Sequence, residues 1–323
     1  MRFVTRSRLR RRVRLRRWGT MHAMQKHLNE LFSALVARAT IDPPVSSRPL
    51  FLDGRQCGWV AEDVPALLQA GPVRLAAHAS GWSVVTDVEL EHSGNTGDGT
   101  HGIMPATQPH RSLDLNARLA HVAKQLHGQG RLRGWRGELL DVADLGGKVV
   151  GAIERAAVRP LGIATRAVHL NAWTPADQIW IAQRALDKST DPGKWDTLVG
   201  GLVSATESDA LALERESWEE AGLPAACLHA SVSMGEYCVR RILPEGYQVE
   251  WVGVTDVVVP TDVVPCNQDG EVVQIRTASP DEVADMIAQD LFTLEACLAM
   301  GLSFVQRGWL AADVMAPVVR RPG

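Results

Sequence analysis

The stretch from Gly201 to Leu223 constrains the possible folds of this chain more than any other part of the sequence. Residues 208–221 are dominated by helix-forming side chains, and Gly222 followed by Pro224 is typical of a helix C-terminus. We therefore predict a helix that ends at this glycine. A glycine pair precedes the helix, and without side chains its backbone can approach a metal ion closely.

Three glutamates of the predicted helix fall on one face. Glu216, Glu219 and Glu220 occupy positions i, i+3 and i+4, which are neighbours on a helix surface. Three clustered anions repel one another, and a bound hard cation such as Mg²⁺, which prefers carboxylate and water oxygens, removes that cost. Glu207 and Arg215 lie eight positions apart, and we expect them to form an ion pair that orients the helix. The pattern predicts a site for Mg²⁺ or Mn²⁺.

The spacing of charges and glycines across this stretch is specific. Residues 195–223 are WDTLVGGLVSATESDALALERESWEEAGL in one-letter code. They match the Nudix box, G-x5-E-x7-R-E-U-x-E-E-x-G-U, at every charged and glycine position, so the chain resembles the Nudix hydrolase superfamily. Ser217 departs from the box, which has a bulky aliphatic residue there, and should pack the helix less firmly. The resemblance implies an α/β (α+β) fold, a Nudix α/β/α sandwich with a mixed sheet, preceded by a smaller α+β N-terminal domain.

The resemblance also implies roles for individual residues. Glu219 and Glu220 would bind the metal, Glu216 would bind the metal or assist the attacking water, and the carbonyl of Gly200 would be a further ligand. A catalytic glutamate often comes from a distant loop, and Glu271 is the candidate because it follows a turn and precedes a predicted strand. The residues with a structural role in the motif are Gly201, Glu207, Arg215 and Gly222.

Four residues ahead of the motif are predicted to bind substrate. Arg184, Lys188 and Lys194 carry positive charge that would hold a diphosphate. Trp195 offers a flat ring for stacking. The chain holds ten tryptophans but two tyrosines and five phenylalanines, which favours an aromatic platform.

The resemblance reaches beyond the motif. Four segments are similar to the Nudix domain related to fungal thiamine pyrophosphokinases: 155–172, 188–201, 267–272 and 290–298. Residues 50–142 resemble the N-terminal extension of bacterial stand-alone members of that group. This relationship implies a small-molecule diphosphate substrate, namely thiamine diphosphate or a damaged analogue of it. A pyrophosphatase for ADP-ribose or another nucleoside diphosphate linked to a second group is the alternative.

Two further alternatives share the fold. Isopentenyl-diphosphate isomerases need a catalytic cysteine and metal-binding histidines, for which Cys266 and His169 are the candidates. The complete box favours hydrolysis over isomerisation. Ligand-sensing Nudix domains commonly lack box carboxylates, and this chain keeps all of them. The sequence therefore predicts a hydrolase that acts on phosphorus-containing acid anhydrides.

Charge and composition divide the chain. Residues 1–20 hold nine arginines and no acid, whereas the remainder carries 25 basic and 37 acidic residues. A body this acidic does not bind nucleic acid by general electrostatics. We predict a disordered Arg-rich tail at 1–20, an α+β extension domain at 21–150 and a Nudix hydrolase domain at 151–312. The histidines of the loop at 91–112 are expected to be solvated rather than metal ligands.

Hydropathy and cysteine spacing constrain location. No apolar run approaches the ~18–20 residues of a membrane span. The five cysteines are far apart and form no C-x-x-C pair, so neither a zinc cluster nor a disulfide framework is predicted. We expect a cytoplasmic protein without membrane or nucleic-acid partners, and a homodimer is left open.

Overall fold

The computed structural model describes residues 21–69, 71–86, 113–188 and 190–320. The predicted tail at 1–20 and the histidines of the loop at 91–112 lie outside the described residues. No helix within the described ranges is both long and apolar enough to cross a membrane. The helices are α1 Met21–Arg38, α2 Val64–Leu67, α3 Leu115–Gly128, α4 Asp209–Ala221, α5 Pro280–Ala288, α6 Leu294–Gln306 and α7 Ala312–Met315. The strands are β1 Arg48–Leu52, β2 Arg55–Val60, β3 Val73–His78, β4 Gly81–Thr86, β5 Leu139–Ala143, β6 Val149–Glu154, β7 Ala164–Trp173, β8 Ile179–Arg184, β9 Trp195–Thr197, β10 Val199–Leu202, β11 Val232–Leu243, β12 Gly246–Val258 and β13 Val272–Ala278.

The first part of the chain forms a four-stranded sheet that is covered by a helix. The strand order is β2-β1-β4-β3, with β1 and β4 parallel. Helix α3 begins after Asp114, whose side chain accepts a hydrogen bond from the Ala117 N–H. Its apolar face buries Leu119 and Leu126 in a core that also takes in the hairpin β5–β6 and extends to Ile163. This first module therefore ends at the start of β7.

The second part is a mixed sheet of seven strands. Its path is β11-β12-β7-β8-β13, with β10 paired to β7 and β9 paired to β8. Strands β7 and β12 are parallel, whereas the other pairs are antiparallel. Strand β7 pairs with β8 only at Ala172 and Trp173, and it pairs with β10 from Ala167 to Leu170. The sheet thus opens between β7 and β8, and β9 and β10 lie at that opening.

Helices cover both faces of this sheet. Alternate residues of β7 pack in different cores, because successive side chains of a strand point to opposite faces. Ala167 and Trp173 pack with α1 and α6, whereas Val168 and Leu170 pack with α4. The predicted α/β/α sandwich with a mixed sheet is confirmed, as is the smaller α+β unit that precedes it.

Core packing divides the chain differently from the predicted domain boundaries. Helix α1, which we assigned to the extension domain at 21–150, packs Leu28 and Phe32 against α6 and α7 in the second core. Conversely, Ile153 and Ile163 belong to the first core. The periodicity of a helix predicts which face is buried but not which partner covers it, so these assignments required the tertiary structure.

Candidate active site

Helix α4 carries the three glutamates of the predicted metal face. Ser208 caps its N-terminus by accepting a hydrogen bond from the Leu211 N–H, and Gly222 ends it in the left-handed conformation at φ 60°. A glycine adopts this conformation without the steric cost that a β-carbon brings. The observed bounds agree with the predicted helix.

Arg215 connects the glutamates to the loop before the helix. Its Nε and Nη2 donate to Oε1 and Oε2 of Glu207 at 3.0 and 2.9 Å, which is the predicted ion pair. Its Nη1 donates to Glu216 Oε1 at 2.7 Å and to Glu219 Oε2 at 3.2 Å. Hydrogen bonding to Arg215 lowers the pKa of Glu207. One guanidinium therefore orients three carboxylates.

Glu216 and Glu220 are the more buried members of the glutamate face, whereas the Glu219 side chain is 42% exposed. The Gly200 N–H donates to Glu220 Oε2 at 2.8 Å. Burial raises the pKa of Glu216, and burial raises the pKa of Glu220 to about 8. A β-carbon on Gly201 would overlap with the carboxyl group of Glu216. Only glycine lets β10 pass this close to the carboxylate.

The donors at this corner suit a hard divalent cation. Carboxylate and carbonyl oxygens are ligands of hard cations, and a cation relieves the cost of burying two carboxylates side by side. Among the described residues, no three His, Cys, Asp or Glu side chains are arranged as a group that could hold a metal ion. Instead, cationic side chains contact the predicted glutamates: Arg215 binds Glu216 and Glu219, and Lys188 binds Glu271.

Glu216 and Glu220 face a cavity of about 140 Å³. Its lining carries six cationic and seven acidic side chains, so it can hold a cation and an anion together. The cationic residues are Arg136, Arg155, Arg159, Arg184, Lys188 and Arg241. The acidic residues are Asp191, Asp196, Glu216, Glu220, Glu250, Glu271 and Glu295.

Five of the predicted site residues outside the helix line this cavity: Gly200, Gly201 and three charged residues. Arg184 donates from Nη1 to Asp196 Oδ2 at 3.2 Å. Lys188 is largely buried and contacts Glu271, and burial lowers the pKa of Lys188. Glu271 also accepts from Arg136 Nη1 at 3.2 Å. The structure therefore brings Arg184, Lys188 and Glu271 to the helix glutamates.

Lys194 and Trp195 are not among the residues that line the cavity. Lys194 pairs with Asp290 at 3.0 Å. The Trp195 ring packs against the core that contains α1, with the Arg276 guanidinium 4.7 Å from its centroid. Asp196, the next residue of β9, lines the cavity. The alternation of a strand explains the difference, because neighbouring side chains point to opposite faces.

His169 lines the cavity, but Cys266 does not. The Thr197 hydroxyl donates to the Val199 carbonyl at 2.8 Å, so its oxygen accepts from His169 Nδ1 at 2.8 Å. Cys266 is exposed. Of the two residues that an isomerase would need, one is at the site.

Comparison with known proteins agrees with this geometry. Residues 164–295 match the family model described as NUDIX domain. This range of the chain is therefore similar to the Nudix family. The chain is 32% identical over 201 residues to "Nudix hydrolase 24, chloroplastic" of Arabidopsis thaliana, covering 58% of this chain and 53% of that protein. It is 32% identical over 206 residues to "Nudix hydrolase 20, chloroplastic" of the same plant, covering 60% and 53%.

A third relative is named for a different activity. "Isopentenyl-diphosphate Delta-isomerase" of Corynebacterium glutamicum strain R is 28% identical over 193 residues, covering 57% of this chain and 93% of that protein. The chain spans about half the length of the two plant relatives.

Sequence reasoning missed several charged residues at the site of the Nudix domain. Arg241 of β11 donates to Glu295 at 2.9 Å and to Gln248 at 2.7 Å, and Gln248 also donates to Glu250. These residues come from β11, β12 and α6, which tertiary structure alone brings together. Three more cationic residues precede the Nudix domain: Arg136, Arg155 and Arg159. No local pattern could have assigned them, although residues 155–172 were part of the noted similarity.

Proposed function

We propose that this chain hydrolyses a diphosphate linkage with Mg²⁺ or Mn²⁺ bound at helix α4. The observation that carries the proposal is a pair of carboxylates, the buried Glu220 and the largely buried Glu216, in a cavity that also holds six cationic side chains. Buried like charges are costly unless a cation neutralises them, and a diphosphate matches the cationic side chains. The Nudix domain at 164–295 supports the same chemistry.

The metal site would use the donors of α4 and β10. Glu216, Glu219 and Glu220 would hold the ion together with the carbonyl oxygen of Gly200. When bound, the ion neutralises phosphate charge and makes water a better nucleophile. Hard oxygen donors of this type fit Mg²⁺ or Mn²⁺.

The side chains around the metal site would bind the diphosphate and move one proton. Arg184 and Lys188 donate to phosphoryl oxygens and orient the phosphorus. Glu271 accepts the proton of the attacking water, and Glu216 is the second candidate for this role. The water oxygen bonds to phosphorus as the bond from phosphorus to the bridging oxygen breaks. The bridging oxygen leaves with the electron pair.

We propose thiamine diphosphate or a damaged analogue as the substrate, on the basis of the sequence similarity at 155–172 and 188–201. The lining of the cavity contains no tryptophan among the described residues, so a stacking role for Trp195 has no support from its position. Polar contacts are available instead. Gln248 and Glu250, which lie side by side on the cavity wall, could donate to and accept from a heteroaromatic ring.

A nucleoside diphosphate linked to a second group, such as ADP-ribose, is the second candidate. A further cavity of about 260 Å³ adjoins the first and shares Arg155, Arg159 and Glu250 with it. Ligand pockets of a few hundred Å³ are typical of small-molecule sites. The adjoining space favours a substrate with an organic group on each side of the diphosphate.

A substrate screen tests the proposed function. The purified full chain, with and without Mg²⁺, is incubated with thiamine diphosphate, its oxidised analogues, ADP-ribose, NADH and nucleoside triphosphates, and the products are identified. We expect Mg²⁺-dependent cleavage of at least one diphosphate and a loss of turnover in Glu219→Gln. The matched control is Glu214→Gln, which changes an exposed glutamate of the same helix. Binding without cleavage of any compound would replace the hydrolase with a sensor.

We also propose the cytoplasm as the location. All five cysteines are free thiols, which a reducing compartment preserves. The two plant relatives are named as chloroplastic proteins, which is a different location. Imaging the tagged full chain in its own cell tests the proposal. Sedimentation of the purified chain tests for a homodimer.

A further inference from the structure

Half of the cationic side chains in the 140 Å³ cavity come from outside the Nudix domain. Arg184, Lys188 and Arg241 lie within residues 164–295, whereas Arg136, Arg155 and Arg159 precede this range. The segment that carries the second group is packed in the core of the first module. The cavity is therefore completed by a part of the chain that the Nudix family model does not cover.

The backbone around Arg159 is fixed between the two sheets. On one side, the Trp59 N–H of β2 donates to the Leu161 carbonyl at 2.8 Å. On the other side, the Tyr247 N–H of β12 donates to the Arg159 carbonyl at 3.1 Å. A β-carbon on Gly246 would overlap with the same carbonyl oxygen, so the approach is as close as glycine permits. Two independent hydrogen-bond contacts thus set the position from which Arg159 reaches the cavity.

Arg155 and Arg159 lie where the two cavities meet. Both line the 140 Å³ cavity and the 260 Å³ cavity, and their side chains are 37% and 27% exposed. Arg155 Nη1 contacts Glu138 at 2.8 Å, and Arg159 Nη1 contacts the Thr190 hydroxyl at 2.9 Å. A guanidinium has five N–H donors in a planar fork, so each contact leaves capacity for a ligand.

Arg136 also lines both cavities, but its carboxylate partner is a predicted catalytic residue. Its Nη1 donates to Glu271 at 3.2 Å, so it holds a predicted catalytic carboxylate rather than facing the ligand alone. Arg155 and Arg159 also have carboxylate partners, Glu138 at 2.8 Å and Glu245 at 3.9 Å, but neither partner is a predicted catalytic residue.

We propose that Arg155 and Arg159 bind the phosphoryl oxygens of the substrate, so that the first module supplies part of the phosphate-binding wall of the Nudix site. Planar, charge-assisted contacts of this kind match the oxygens of a phosphoryl group. The inference rests on the proposed function, since it assigns a wall of the same cavity to the same diphosphate. It gives the first module a role in binding, with Arg155 and Arg159 as substrate-binding residues.

Binding of a diphosphate that cannot be cleaved tests the inference. Methylenediphosphonate is titrated in the presence of Mg²⁺ into the full chain and into Arg155→Gln and Arg159→Gln, and the dissociation constant is measured by calorimetry. We expect each variant to bind about tenfold more weakly, because each loses a charge-assisted hydrogen bond. Arg155→Lys and Arg159→Lys retain the charge and should recover part of the affinity.

The matched control is Arg55→Gln. Arg55 is also an ion-paired arginine of the first module, with Asp144 at 2.7 Å, but it does not line either cavity. We expect the Arg55→Gln variant to bind methylenediphosphonate as tightly as the unchanged chain. Unchanged affinity in Arg155→Gln and Arg159→Gln, with thermal unfolding that shows both are folded, would overturn the inference. If a Gln variant does not fold, the Lys variants decide. The inference is also overturned if Arg155→Lys and Arg159→Lys bind methylenediphosphonate as tightly as the unchanged chain at both low and high salt.

The same measurements separate this inference from the proposed hydrolysis. If the unchanged chain cleaves no diphosphate but binds methylenediphosphonate through the two arginines, the inference stands and the hydrolase proposal fails. If the unchanged chain cleaves a diphosphate, and the Gln variants keep both its KM and the affinity for methylenediphosphonate, the inference fails and the hydrolase proposal stands.

Discussion

The two walls of the cavity are built in different ways. The carboxylate wall, formed by Glu216 and Glu220, comes from one continuous stretch, Gly200 to Gly222, in which one loop and one helix place both glutamates. The cationic wall is assembled from positions between Arg136 and Arg241: Arg184 and Arg241 lie on β8 and β11 of the seven-stranded sheet, and the other four residues lie outside the strands. Local spacing in the sequence can therefore predict the residues that carry out the chemistry of a site, whereas the residues that hold the ligand depend on tertiary packing.

The largest effect should follow from a change in the carboxylate wall. In Gly201→Ala, the new β-carbon overlaps with the carboxyl group of Glu216, so the carboxylate must move. Because metal-assisted charge stabilisation contributes several kcal/mol, we expect kcat to fall by about 100-fold or more. Gly128→Ala is the control, because a β-carbon there has no heavy atom within 4 Å. Full turnover in Gly201→Ala would show that the close approach of β10 to α4 is not needed.

A smaller effect should follow from the residue that orients the carboxylates. Arg215→Lys keeps the charge but loses the two-pronged contact with Glu207. Changes to residues that orient metal ligands typically cost about 10–100-fold in metal affinity or activity. We expect kcat to reach half of its maximum at a higher Mg²⁺ concentration than in the unchanged chain, with little change in KM. Steady-state kinetics across Mg²⁺ concentrations measure both. Identical Mg²⁺ titrations for the variant and the unchanged chain would remove Arg215 from this role.

The pH dependence of stability should show the burial of the carboxylate wall. Burial raises the pKa of Glu220 from 4.5 to about 8, so the folded chain retains a proton that the unfolded chain releases. The contribution of Glu220 to the free energy of unfolding is therefore fully present below pH 4.5 and is lost as the pH rises to 8. The free energy of unfolding falls by at most about 1.4 kcal/mol per pH unit in this range. Denaturant unfolding of the metal-free chain measures this slope. Glu220→Gln should flatten it, and an equal slope in both proteins would contradict the assignment.

The smallest effect concerns the packing of helix α4. Ser217 is fully buried, and within the described parts of the chain its hydroxyl has no hydrogen-bond partner. Ser217→Ala removes this unsatisfied group, so we expect the free energy of unfolding to rise by about 1 kcal/mol. Thermal and denaturant unfolding measure the change, and kcat serves as the control that the glutamates have not moved. A lower stability would mean that the hydroxyl is needed.

The sequence predicted the carboxylate wall well, for physical reasons. Helix propensity, the cap residues and the i, i+3, i+4 spacing are local, so they place Glu216, Glu219 and Glu220 without knowledge of the rest of the fold. The pair of Glu207 with Arg215 joins this helix to the loop that directly precedes it, so it is local as well. The sandwich with a mixed sheet was also predicted and is confirmed.

The sequence could not predict the parts that depend on which elements meet. Helix α1 has a clear apolar face, but its partners are α6 and α7 at the far end of the chain. Trp195 and Asp196 are adjacent on β9, so their side chains point to opposite faces of the sheet. Only the tertiary structure shows that the face of Asp196 lines the cavity. Arg155 and Arg159 reach the cavity because their segment lies between β2 and β12, a contact with no local signature.

Glu220→Gln and Glu214→Gln form a matched pair of variants that tests the catalytic role of the helix glutamates. Both changes replace one carboxyl group of helix α4 with an amide, but Glu220 is buried beside Gly200 and Glu214 is exposed. The measurement is the rate of Mg²⁺-dependent cleavage of the diphosphate found in the screen, at saturating substrate. We predict a loss of about 100-fold or more in Glu220→Gln and an unchanged rate in Glu214→Gln. Equal rates in the two variants would contradict a catalytic site at the buried carboxylates.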